Sequence, residues 1–366
     1  MNLHIMVEEK VVSRTIQYFE YALPGQNKYL IISSKRSNDI ENRRNLPNTM
    51  YATYGSEEFW AFIGNSSTYK NIIIHFLSKN GISFVNSVKN PNNLVWVVWG
   101  GDLYNALLEP YGYKLYAYSN VYRGRFWKVI PWFYFLRNKY LARKRLQAIK
   151  KIPRMAMVAC DYFVLKSYFP ELNPELLDFF YYPVNDMVDK NLLNRNIESN
   201  NIFVGNSSQQ TNNHRMVFEI LSRCNIGNRK IIAPLSYGCS YGRNDAIRWG
   251  KKLLGDNFKP ITKFMPLEEY NKLMLSASIF VYGHFRQEAF GNIVVSLYIG
   301  GIVVLDDRNP LLKFFKNIGF IIFSMEELPK LVNYTMKEED VRKNKILINT
   351  LYSKEKLLSS IQKLFG

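Results

Sequence analysis

A loop of small polar residues interrupts the stretch NIFVGNSSQQTNNH, residues 201–214, between an apolar strand and a predicted helix that resumes at Thr211. A strand, a loop of small residues and a helix N-terminus together form a cradle that can bind phosphate. A structural explanation is also open, because glycine tolerates unusual backbone angles and serine or threonine caps helices well. The loop lacks both the GxGxxG and the GxxxxGK(S/T) patterns, so it does not decide between the two explanations. Its candidate ligand-binding residues are Gly205, Asn206, Ser207, Ser208, Asn213 and His214.

A second polar cluster follows the predicted strand SIFVY, which ends at Gly283 within the stretch YGHFRQEAFGNIVVSLYIGG, residues 282–301. Its polar members are His284, Arg286, Gln287 and Glu288. Gly291 and Asn292 then open an apolar helix, whose N-terminal partial charge would favour a diphosphate with Arg286 in direct contact. Glu288 would be free to accept hydrogen bonds from sugar hydroxyls. The alternative is a capped, buried helix beside a surface ion pair.

The third cluster is the stretch WVVWGGDLYNAL, residues 96–107, in which a predicted strand stops at Trp99 and two glycines. Asp102 is predicted to cap a helix that begins at Leu103, and an N-cap aspartate usually has only that role. The two glycines would also let a substrate approach the backbone closely, and Asp102 would then lie beside two indoles that suit the face of a sugar. Asp102 is therefore either a helix cap or a catalytic carboxylate, and the pattern leaves both roles open.

Short apolar runs alternate with helical stretches along the chain and would position these clusters. Continuous apolarity is typical of parallel strands that are covered on both faces. The runs are residues 3–7, 29–33, 71–76, 94–100 and 155–161, followed after a polar link by residues 202–205, 229–236, 277–285, 301–307 and 319–324. The series predicts an α/β protein with two doubly wound, Rossmann-type domains facing each other across a cleft. We expect an N-terminal domain at residues 1–185, a linker at 186–200 and a C-terminal domain at 201–366, with the last helix able to pack back on the N-terminal domain.

Length and composition narrow the class of protein. A chain of 366 residues is too long for one ordinary core, and a hydrophobic fraction of 47% excludes a disordered chain. Three widely spaced cysteines suggest a reducing compartment without a disulfide framework. The N-terminus has no signal-peptide pattern, and the longest apolar stretch, residues 292–305, is too short to span a bilayer. The four histidines have no metal-ligand spacing. These features predict a soluble, cytoplasmic protein with no metal and no cofactor.

The chain has a net charge of +18, and its segment at 113–151 is rich in basic and aromatic residues. No acidic residue lies between Glu109 and Asp161. Cations interleaved with aromatic rings suit nucleic acid, where rings stack on bases and cations meet phosphates. They equally suit an anionic membrane, where aromatic rings lie at the level of the headgroups. A solvated helix face over an aromatic core is a third explanation. The residues that would contact a membrane are Trp127, Trp132, Arg143, Lys144 and Arg145.

In this order, the three clusters resemble glycosyltransferase family 56, whose known activity is TDP-4-acetamido-4,6-dideoxygalactose:lipid II transfer in enterobacterial common antigen synthesis. The family's Trp-x-x-Trp-Gly-x-Asp-Leu-Tyr motif resembles residues 96–104, and its Gly-Asn-Ser and Ser/Thr-Asn-x-His motifs resemble residues 205–214. Its Arg-Gln pair before a glycine-started helix resembles the stretch 286–291, and its Asn-Pro pair resembles residues 309–310. The Tyr-Tyr-Pro at 181–183 is similar to the family's Tyr-Phe-Pro. The resemblance runs from the first strand to the final helices.

The resemblance implies a GT-B-like fold and a glycosyltransferase that moves 4-acetamido-4,6-dideoxygalactose (Fuc4NAc) or a fucose-like sugar. The donor would be a dTDP-sugar or another nucleotide-diphosphate sugar. The acceptor would be a saccharide linked to undecaprenyl diphosphate, a lipid-diphosphate carrier. This activity would place the protein peripherally on the cytoplasmic face of the bacterial inner membrane, in the synthesis of common antigen, O antigen or another lipopolysaccharide.

The residue types and the resemblance together assign roles to the three clusters. The candidate catalytic residues are Asp102, His284 and Glu288. The candidate donor-binding residues are Gly205, Asn206, Ser207, Ser208, Asn213, His214, Arg286, Gln287, Gly291, Asn292 and Asn309. The candidate acceptor-binding residues are Trp96, Trp99, Gly100 and Tyr104. Two other classes stay open, a non-catalytic sugar-nucleotide-binding subunit and a basic nucleic-acid-binding protein. Nucleic acid is not the expected partner, because it would leave the cleft motifs unexplained.

Overall fold

The computed structural model of the protein describes residues 1–9, 12–33, 46–118, 131–188 and 197–366. Trp127 and part of the predicted linker, residues 189–196, lie outside the described residues. The chain divides into two compact units. The first unit comprises Met1–Tyr113, Val129–Tyr181 and Glu355–Gly366, and the second comprises Lys114–Lys128 and Tyr182–Lys354.

Among the described residues, the first unit contains a seven-stranded sheet with the order β3-β2-β1-β4-β5-β6-β7. The strands, which all pair in parallel, are β1 Asn2–Val7, β2 Asn27–Ile32, β3 Thr49–Ala52, β4 Asn71–His75, β5 Leu94–Val97, β6 Arg154–Met157 and β7 Glu175–Asp178. Apolar runs predict all but the edge strands β3 and β7. Their sequences, TMYA and ELLD, are partly exposed, so no continuous apolar run marks them.

Both faces of the first sheet are covered, since every residue of β4 and β5 is buried. The helices of this unit are α1 Val12–Ala22, α2 Glu57–Ile63, α3 Lys79–Ser87, α4 Pro131–Ile149 and α5 Ala159–Tyr168, with a π-helix at Gly101–Leu108. The C-terminal helix, Lys354–Phe365, also packs here, because Leu357, Ile361 and Phe365 are buried in the same core as Phe19. The end of the chain therefore completes the core of the unit that contains its beginning.

The second unit contains, in its described part, a six-stranded parallel sheet with the order β10-β9-β8-β11-β12-β13. Its strands are β8 Asn201–Val204, β9 Ile231–Pro234, β10 Phe258–Ile261, β11 Ala277–Tyr282, β12 Ile302–Leu305 and β13 Phe323–Ser324. In both sheets the first strand of the unit lies beside the fourth, β1 beside β4 and β8 beside β11. The winding of a doubly wound sheet reverses at such a pair, and ligands bind beyond the carboxyl ends of the strands there.

The helices of the second unit precede, connect or follow these strands. They are α6 Val184–Met187, α7 His214–Leu221, α8 Ser240–Leu254, α9 Leu267–Leu275, α10 Phe290–Tyr298, α11 Pro310–Ile318, α12 Leu328–Leu331 and α13 Glu338–Leu351. The helix predicted from Thr211 begins at His214 instead, because a short 3-10 turn and a left-handed Asn213 precede it. Within the described ranges, no helix is both long enough and apolar enough to cross a bilayer.

The basic aromatic segment predicted at 113–151 is divided between the two units. Ala117 N donates a 3.0 Å hydrogen bond to Asn213 Oδ1, and Tyr118 OH donates to Glu219, so the beginning of the segment packs in the second unit. Helix α4 belongs to the first unit. The N-terminal unit is therefore not one continuous stretch of chain.

Candidate functional site

The loop after β8 meets the end of β11, where the strand order of the second sheet reverses. Asn213 Nδ2 donates a 2.8 Å hydrogen bond to Gly283 O and joins the two. Gly205 begins the loop with a φ of 70°. A Cβ atom at Gly205 would lie 2.5 Å from Asn212 Oδ1 and 2.9 Å from His214 Nε2. Both the backbone angle and the close packing therefore require glycine at this position.

The small polar residues of this loop bond mainly to one another. Asn212 Oδ1 accepts a 2.9 Å hydrogen bond from Asn206 N, and Asn212 Nδ2 donates to Ser207 Oγ at 3.1 Å. Ser208 Oγ donates to Tyr237 O at 2.8 Å, which ties the loop to the chain that follows β9. Ser207 and Ser208 are buried. These bonds give the loop one defined shape, so the two serines act mainly as its supports.

The loop after β11 carries an ion pair beside a buried histidine. Arg286 Nη2 lies 2.7 Å from Glu288 Oε2, and Arg286 Nε donates to the same oxygen at 2.9 Å. His284 is fully buried, and its Nε2 lies 3.7 Å from Glu288 Oε1. Gln287, which lies between Arg286 and Glu288 in the sequence, is half-buried. Ala289 then takes a φ of 61°, and α10 starts directly after it. One short loop thus holds a cation, a carboxylate and an imidazole together.

Electrostatics keep both histidines of this site neutral and Glu288 ionised. Burial lowers the pKa of His214 to about 3, and His284 nearby acts in the same direction. Burial also lowers the pKa of His284, although Glu288 opposes the shift. Burial alone would raise the pKa of Glu288, but Arg286 and His284 outweigh it, so the net shift is downward. Near neutral pH each histidine therefore offers one nitrogen that donates and one that accepts.

Several buried polar atoms at this edge of the sheet have no hydrogen-bond partner among the described residues. They are Asn206 Oδ1, His214 Nε2, His284 Nδ1, His284 Nε2 and Asn309 Nδ2. Nearly all buried polar groups in proteins are paired, so this group of unpaired atoms marks the edge of the sheet as a candidate functional site. These atoms lie on the loops after β8, β11 and β12, which are adjacent strands, and on His214 at the start of α7. The described residues contain no group of three His, Cys, Asp or Glu side chains that could hold a metal ion.

Tyr237 is a site residue that the sequence patterns do not indicate. It follows β9, and its hydroxyl accepts a 3.1 Å hydrogen bond from Asn206 Nδ2. Burial raises the pKa of Tyr237, and the charge of Glu288 acts in the same direction. The one signal in the sequence is its place in a loop of small residues just after an apolar run.

Two predicted donor-binding residues, Asn292 and Asn309, have structural roles within the unit, and a third, Gly291, has none that its packing requires. Asn292 Nδ2 donates to Tyr270 OH at 2.8 Å, so this amide is held within the unit. Asn309 Oδ1 accepts from Leu311 N at 3.0 Å and caps α11, although its Nδ2 stays unpaired. A Cβ atom at Gly291 would meet nothing closer than an ordinary contact of 3.5 Å. The packing therefore does not require glycine at position 291.

In the first unit, Asp102 is fully buried and its carboxylate accepts three hydrogen bonds. Oδ2 accepts from Leu77 N at 2.7 Å and from Trp96 Nε1 at 2.8 Å, while Oδ1 accepts from Trp99 N at 2.8 Å. The predicted helix cap is corrected, because the helix begins at Gly101 and Asp102 lies in its first turn. Burial raises the pKa of Asp102 to about 6 despite these donors. The geometry favours a structural role for Asp102 over that of a general base.

The predicted acceptor-binding residues separate into two groups. Trp96 and Tyr104 are fully buried, so neither side chain presents a surface to a ligand. Tyr104 OH donates instead to Asp161 Oδ1 at 2.6 Å. Trp99 and Gly100 are half-buried. The structure therefore leaves Trp99 and Gly100 as the members of this set that a ligand can reach.

Arg145 requires a correction among the predicted membrane-contacting residues. It is buried, and its Nη1 donates to Leu77 O inside the first unit. Its neighbours Arg143 and Lys144 are exposed, and Trp132 near the start of α4 is 65% exposed. A membrane could therefore meet these three residues but not Arg145.

Two parallel, doubly wound sheets in separate units, with a polar site at the carboxyl edge of the second, are the arrangement of the GT-B fold. Solved structures match this fold over nearly the whole chain. A glycosyltransferase from Rickettsia africae matches with a TM-score of 0.63 and 10% identity, covering 100% of this chain and 97% of its own. Sucrose-phosphate synthase from Thermosynechococcus elongatus matches with a TM-score of 0.61 and 10% identity, covering 100% and 95%. Anabaena Alr3699/HepE in complex with UDP and glucose matches with a TM-score of 0.61 and 11% identity, covering 99% and 98%.

A match between the sequence and a family model assigns the chain to a family. The model of the 4-alpha-L-fucosyltransferase family, glycosyl transferase group 56, matches residues 80–350, and the chain belongs to this family. This match confirms the resemblance based on the three clusters, and with the solved structures it confirms the GT-B fold and the assignment as a transferase. A comparison with curated proteins finds no match.

Proposed function

We propose that this glycosyltransferase moves 4-acetamido-4,6-dideoxygalactose or a fucose-like sugar from a nucleotide-diphosphate donor, preferably dTDP-linked, to a saccharide carried on undecaprenyl diphosphate. Membership of the 4-alpha-L-fucosyltransferase family supports a sugar related to fucose. The observation that carries the proposal is the group of unpaired, buried polar atoms around His214 and His284, at the point where the second sheet reverses its strand order. A ligand rich in hydroxyl and phosphate groups matches such a surface.

The second unit is the proposed donor site. Anabaena Alr3699/HepE, which shares the fold, has been solved with UDP and with UDP-glucose, and this supports a nucleotide sugar as ligand. Arg286 would contact the diphosphate, and the N-terminus of α10 directly after Ala289 would add its partial positive charge. Glu288 would accept hydrogen bonds from sugar hydroxyls, while the unpaired nitrogen of His214 would bond a further hydroxyl or phosphate oxygen.

The reaction forms a bond between an acceptor hydroxyl oxygen and the anomeric carbon, and it breaks the bond from that carbon to the diphosphate. The hydroxyl proton must pass to a base, and the charge on the departing diphosphate must be stabilised. Arg286 would supply positive charge for the diphosphate. His284 is the proposed base, because it is neutral and neither of its ring nitrogens has a hydrogen-bond partner among the described residues, whereas the carboxylate of Asp102 is already bonded to three donors.

A lipid-linked acceptor requires the protein to reach a membrane, and α4 is the proposed docking element. Its first turns expose large apolar side chains, namely Trp132, Phe133, Phe135, Leu136 and Tyr140. Arg137, Arg143 and Lys144 are exposed on the same helix. Aromatic rings settle at the level of the headgroups, and cations are attracted to anionic lipid. Docking of this kind would suit synthesis of common antigen, O antigen or another lipopolysaccharide on the cytoplasmic face of the inner membrane.

Thermal unfolding in the presence of dTDP-, UDP- and GDP-sugars tests the donor site. A ligand at 100 times its dissociation constant adds about 2.7 kcal/mol to the free energy of unfolding, so the correct donor should raise the melting temperature clearly. A short-chain, prenyl-diphosphate-linked saccharide then serves as the acceptor probe for turnover. His284→Ala should reduce turnover by at least about 100-fold.

Arg248→Ala is the matched control, because its side chain is 65% exposed on α8 of the same unit. It should keep both stabilisation and turnover. Failure of every nucleotide sugar to stabilise the wild type contradicts glycosyl transfer. Stabilisation without turnover would favour a non-catalytic subunit, and tight, salt-sensitive binding of nucleic acid without any sugar nucleotide would favour the basic binding protein.

A further inference from the structure

A strained phenylalanine lies directly after β4 in the first unit. Phe76 has a φ of 65°, in the left-handed region that bulky residues rarely adopt. Its N–H donates to Val97 O at 3.2 Å, and its carbonyl accepts from Ser78 N at 2.7 Å. Such a conformation is strained and persists only where the surroundings fix it. The ring of Phe76 is thus held at the carboxyl end of β4, the strand beside which the sheet reverses its order.

Trp99, at the end of the neighbouring strand, is fixed at both its backbone and its ring. Its backbone N–H donates to Asp102 Oδ1 at 2.8 Å, and its indole Nε1 donates to Tyr181 OH at 2.6 Å. The ring centroids of Phe76 and Trp99 are 5.5 Å apart, and those of Trp99 and Tyr181 are 5.9 Å apart and nearly perpendicular. Phe76, Trp99 and Tyr181 are all half-buried and are termed the aromatic platform.

A buried chain of hydrogen bonds runs inward from Tyr181. Tyr181 OH lies 2.9 Å from His75 Nδ1, and His75 Nε2 lies 3.0 Å from His4 Nδ1. His4 Nε2 lies 3.3 Å from Asn27 Oδ1. Asn27 Nδ2 is occupied in donating to Leu23 O at 2.9 Å, so Asn27 Oδ1 faces His4 as an acceptor.

The donor and acceptor roles along this chain of hydrogen bonds follow from Asn27 at its inner end. Burial lowers the pKa of His4 to about 3 and the pKa of His75 well below its usual value, so both imidazoles are neutral. His4 then donates from Nε2 and accepts at Nδ1, and His75 does the same. Tyr181 must therefore donate to His75, which leaves the Tyr181 oxygen to accept from Trp99. One arrangement of protons satisfies every member.

The chain does more than fill the core. Burying two imidazoles costs desolvation energy that an apolar pair would avoid. A fully bonded polar network, in return, specifies a single conformation of its members. Within this network, the side chains that reach the protein surface are those of Tyr181 and Trp99, and both are half-buried. The conformation that the buried histidines specify is therefore that of two aromatic rings at the edge of the sheet.

We infer that the aromatic platform binds the ring face of the acceptor saccharide and that His75 is a positioning residue for it. This inference rests on the proposed function, since it names the part of the first unit that would take the acceptor. A pyranose presents C–H groups on its ring faces, which pack on aromatic rings, while its hydroxyls stay at the edge for polar partners. The platform takes the role predicted for Trp96 and Tyr104 and adds Phe76 and Tyr181 to Trp99.

Saturation-transfer NMR on the full chain, with methyl glycosides of glucose, galactose and N-acetylglucosamine, tests the platform. We expect at least one glycoside to bind, and Trp99→Ala to weaken its affinity about fivefold, because an aromatic contact contributes about 1 kcal/mol. Phe163→Ala removes a ring that is 65% exposed on α5 of the same unit and should bind as the wild type does. Binding of no glycoside, or binding that Trp99→Ala leaves unchanged, overturns the inference.

His75→Leu and His75→Asn test the positioning role. Asparagine keeps an oxygen near the position of Nδ1 that accepts from Tyr181, whereas leucine does not. Glycoside affinity should fall about fivefold in His75→Leu and recover in His75→Asn, with the indole fluorescence shifted in His75→Leu alone. Tyr181→Phe, which deletes only the hydroxyl, makes the same test if His75→Leu does not fold. Wild-type affinity in all these variants would overturn the role of His75.

Nucleotide-sugar binding, measured on the same samples, separates this inference from the proposed function. If the wild type binds no nucleotide sugar, the proposed function is overturned. If it binds nucleotide sugar, but substitution of Trp99 or of His75 leaves glycoside affinity unchanged, only the role of the aromatic platform is overturned. The donor-site residues lie in the second unit, so substitutions in the platform should leave nucleotide affinity unchanged.

Discussion

The indole Nε1 of Trp96 donates a 2.8 Å hydrogen bond to Asp102 Oδ2, and both side chains are fully buried. The same carboxylate accepts from Leu77 N and Trp99 N, so it joins the chain after β4 and the chain after β5 to the π-helix. Arg145 of α4 donates to Leu77 O and reinforces this junction. In the family motif Trp-x-x-Trp-Gly-x-Asp, Trp96 and Asp102 therefore build the edge of the sheet, and Trp99 is the tryptophan that stays accessible.

Asp102→Asn is expected to lower the free energy of unfolding by about 1–3 kcal/mol, because an amide cannot accept all three hydrogen bonds and turns a donor toward a buried donor. Glu57→Gln, which changes an exposed acid in the first turn of α2, should lower it by less than about 1 kcal/mol. Urea-induced unfolding measures both variants. Near-native unfolding of Asp102→Asn together with an at least about 100-fold loss of turnover would restore Asp102 as the general base.

Acid is expected to destabilise the protein through its buried histidines. Burial lowers the pKa of His214 from 6.5 to about 3. Between these values the unfolded chain binds a proton at this residue and the folded protein does not, so the free energy of unfolding falls as the pH falls. The loss approaches about 1.4 kcal/mol per pH unit for each such histidine. His214→Asn should reduce the measured slope by about that amount, and an unchanged slope would mean that the folded protein protonates His214.

Arg286→Ala is expected to weaken nucleotide-sugar binding by about 1.5–3 kcal/mol, or about ten- to hundredfold, through loss of a charge-assisted contact to the diphosphate. It should also raise the pKa of Glu288, because Arg286 is the strongest of the neighbours that lower it. Isothermal titration calorimetry at several pH values measures both the nucleotide-sugar affinity and the change in the pKa of Glu288. Arg286→Lys keeps the charge without the forked geometry and should recover only part of the affinity. A loss confined to the acceptor would contradict this role.

The strand pattern predicts most of both sheets because a buried parallel strand needs apolar side chains on both faces. The strands β4 and β5 are entirely buried, and each contains a continuous apolar run, III within NIIIH of β4 and LVWV of β5. Apolar runs do not predict the edge strands β3, β7 and β10, because part of each strand is exposed and carries polar residues. Sheet interiors are thus predictable from local sequence, and sheet edges much less so.

The site is predictable where its residues lie close together in the sequence. Gly205 follows from its loop, and Trp96 and Trp99 lie within six residues of Asp102, whereas Leu77, the third partner of Asp102, follows β4 and is not brought near it by local spacing. Arg145 belongs to an uninterrupted Arg-Lys-Arg run, and only the turn of α4 directs it inward. Phe76 and Tyr237 carry no motif, because the first depends on a left-handed backbone and the second on a neighbouring loop.

Arg143 and Lys144 are exposed on α4, whereas Arg145, the next residue, is buried. Replacing Arg143 and Lys144 together by glutamine should weaken binding to vesicles that contain anionic phospholipid by about 2 kcal/mol, or about thirtyfold, because each cation near such a surface contributes about 1 kcal/mol. Arg145→Gln should leave the vesicle affinity of the folded protein unchanged and lower its free energy of unfolding, since its guanidinium donates to Leu77 O. Vesicle co-sedimentation at low and high salt, beside urea-induced unfolding, separates the two effects. If Arg145→Gln releases the protein as strongly as the double substitution, exposure along α4 does not govern docking, and if neither releases it, α4 is not the docking element.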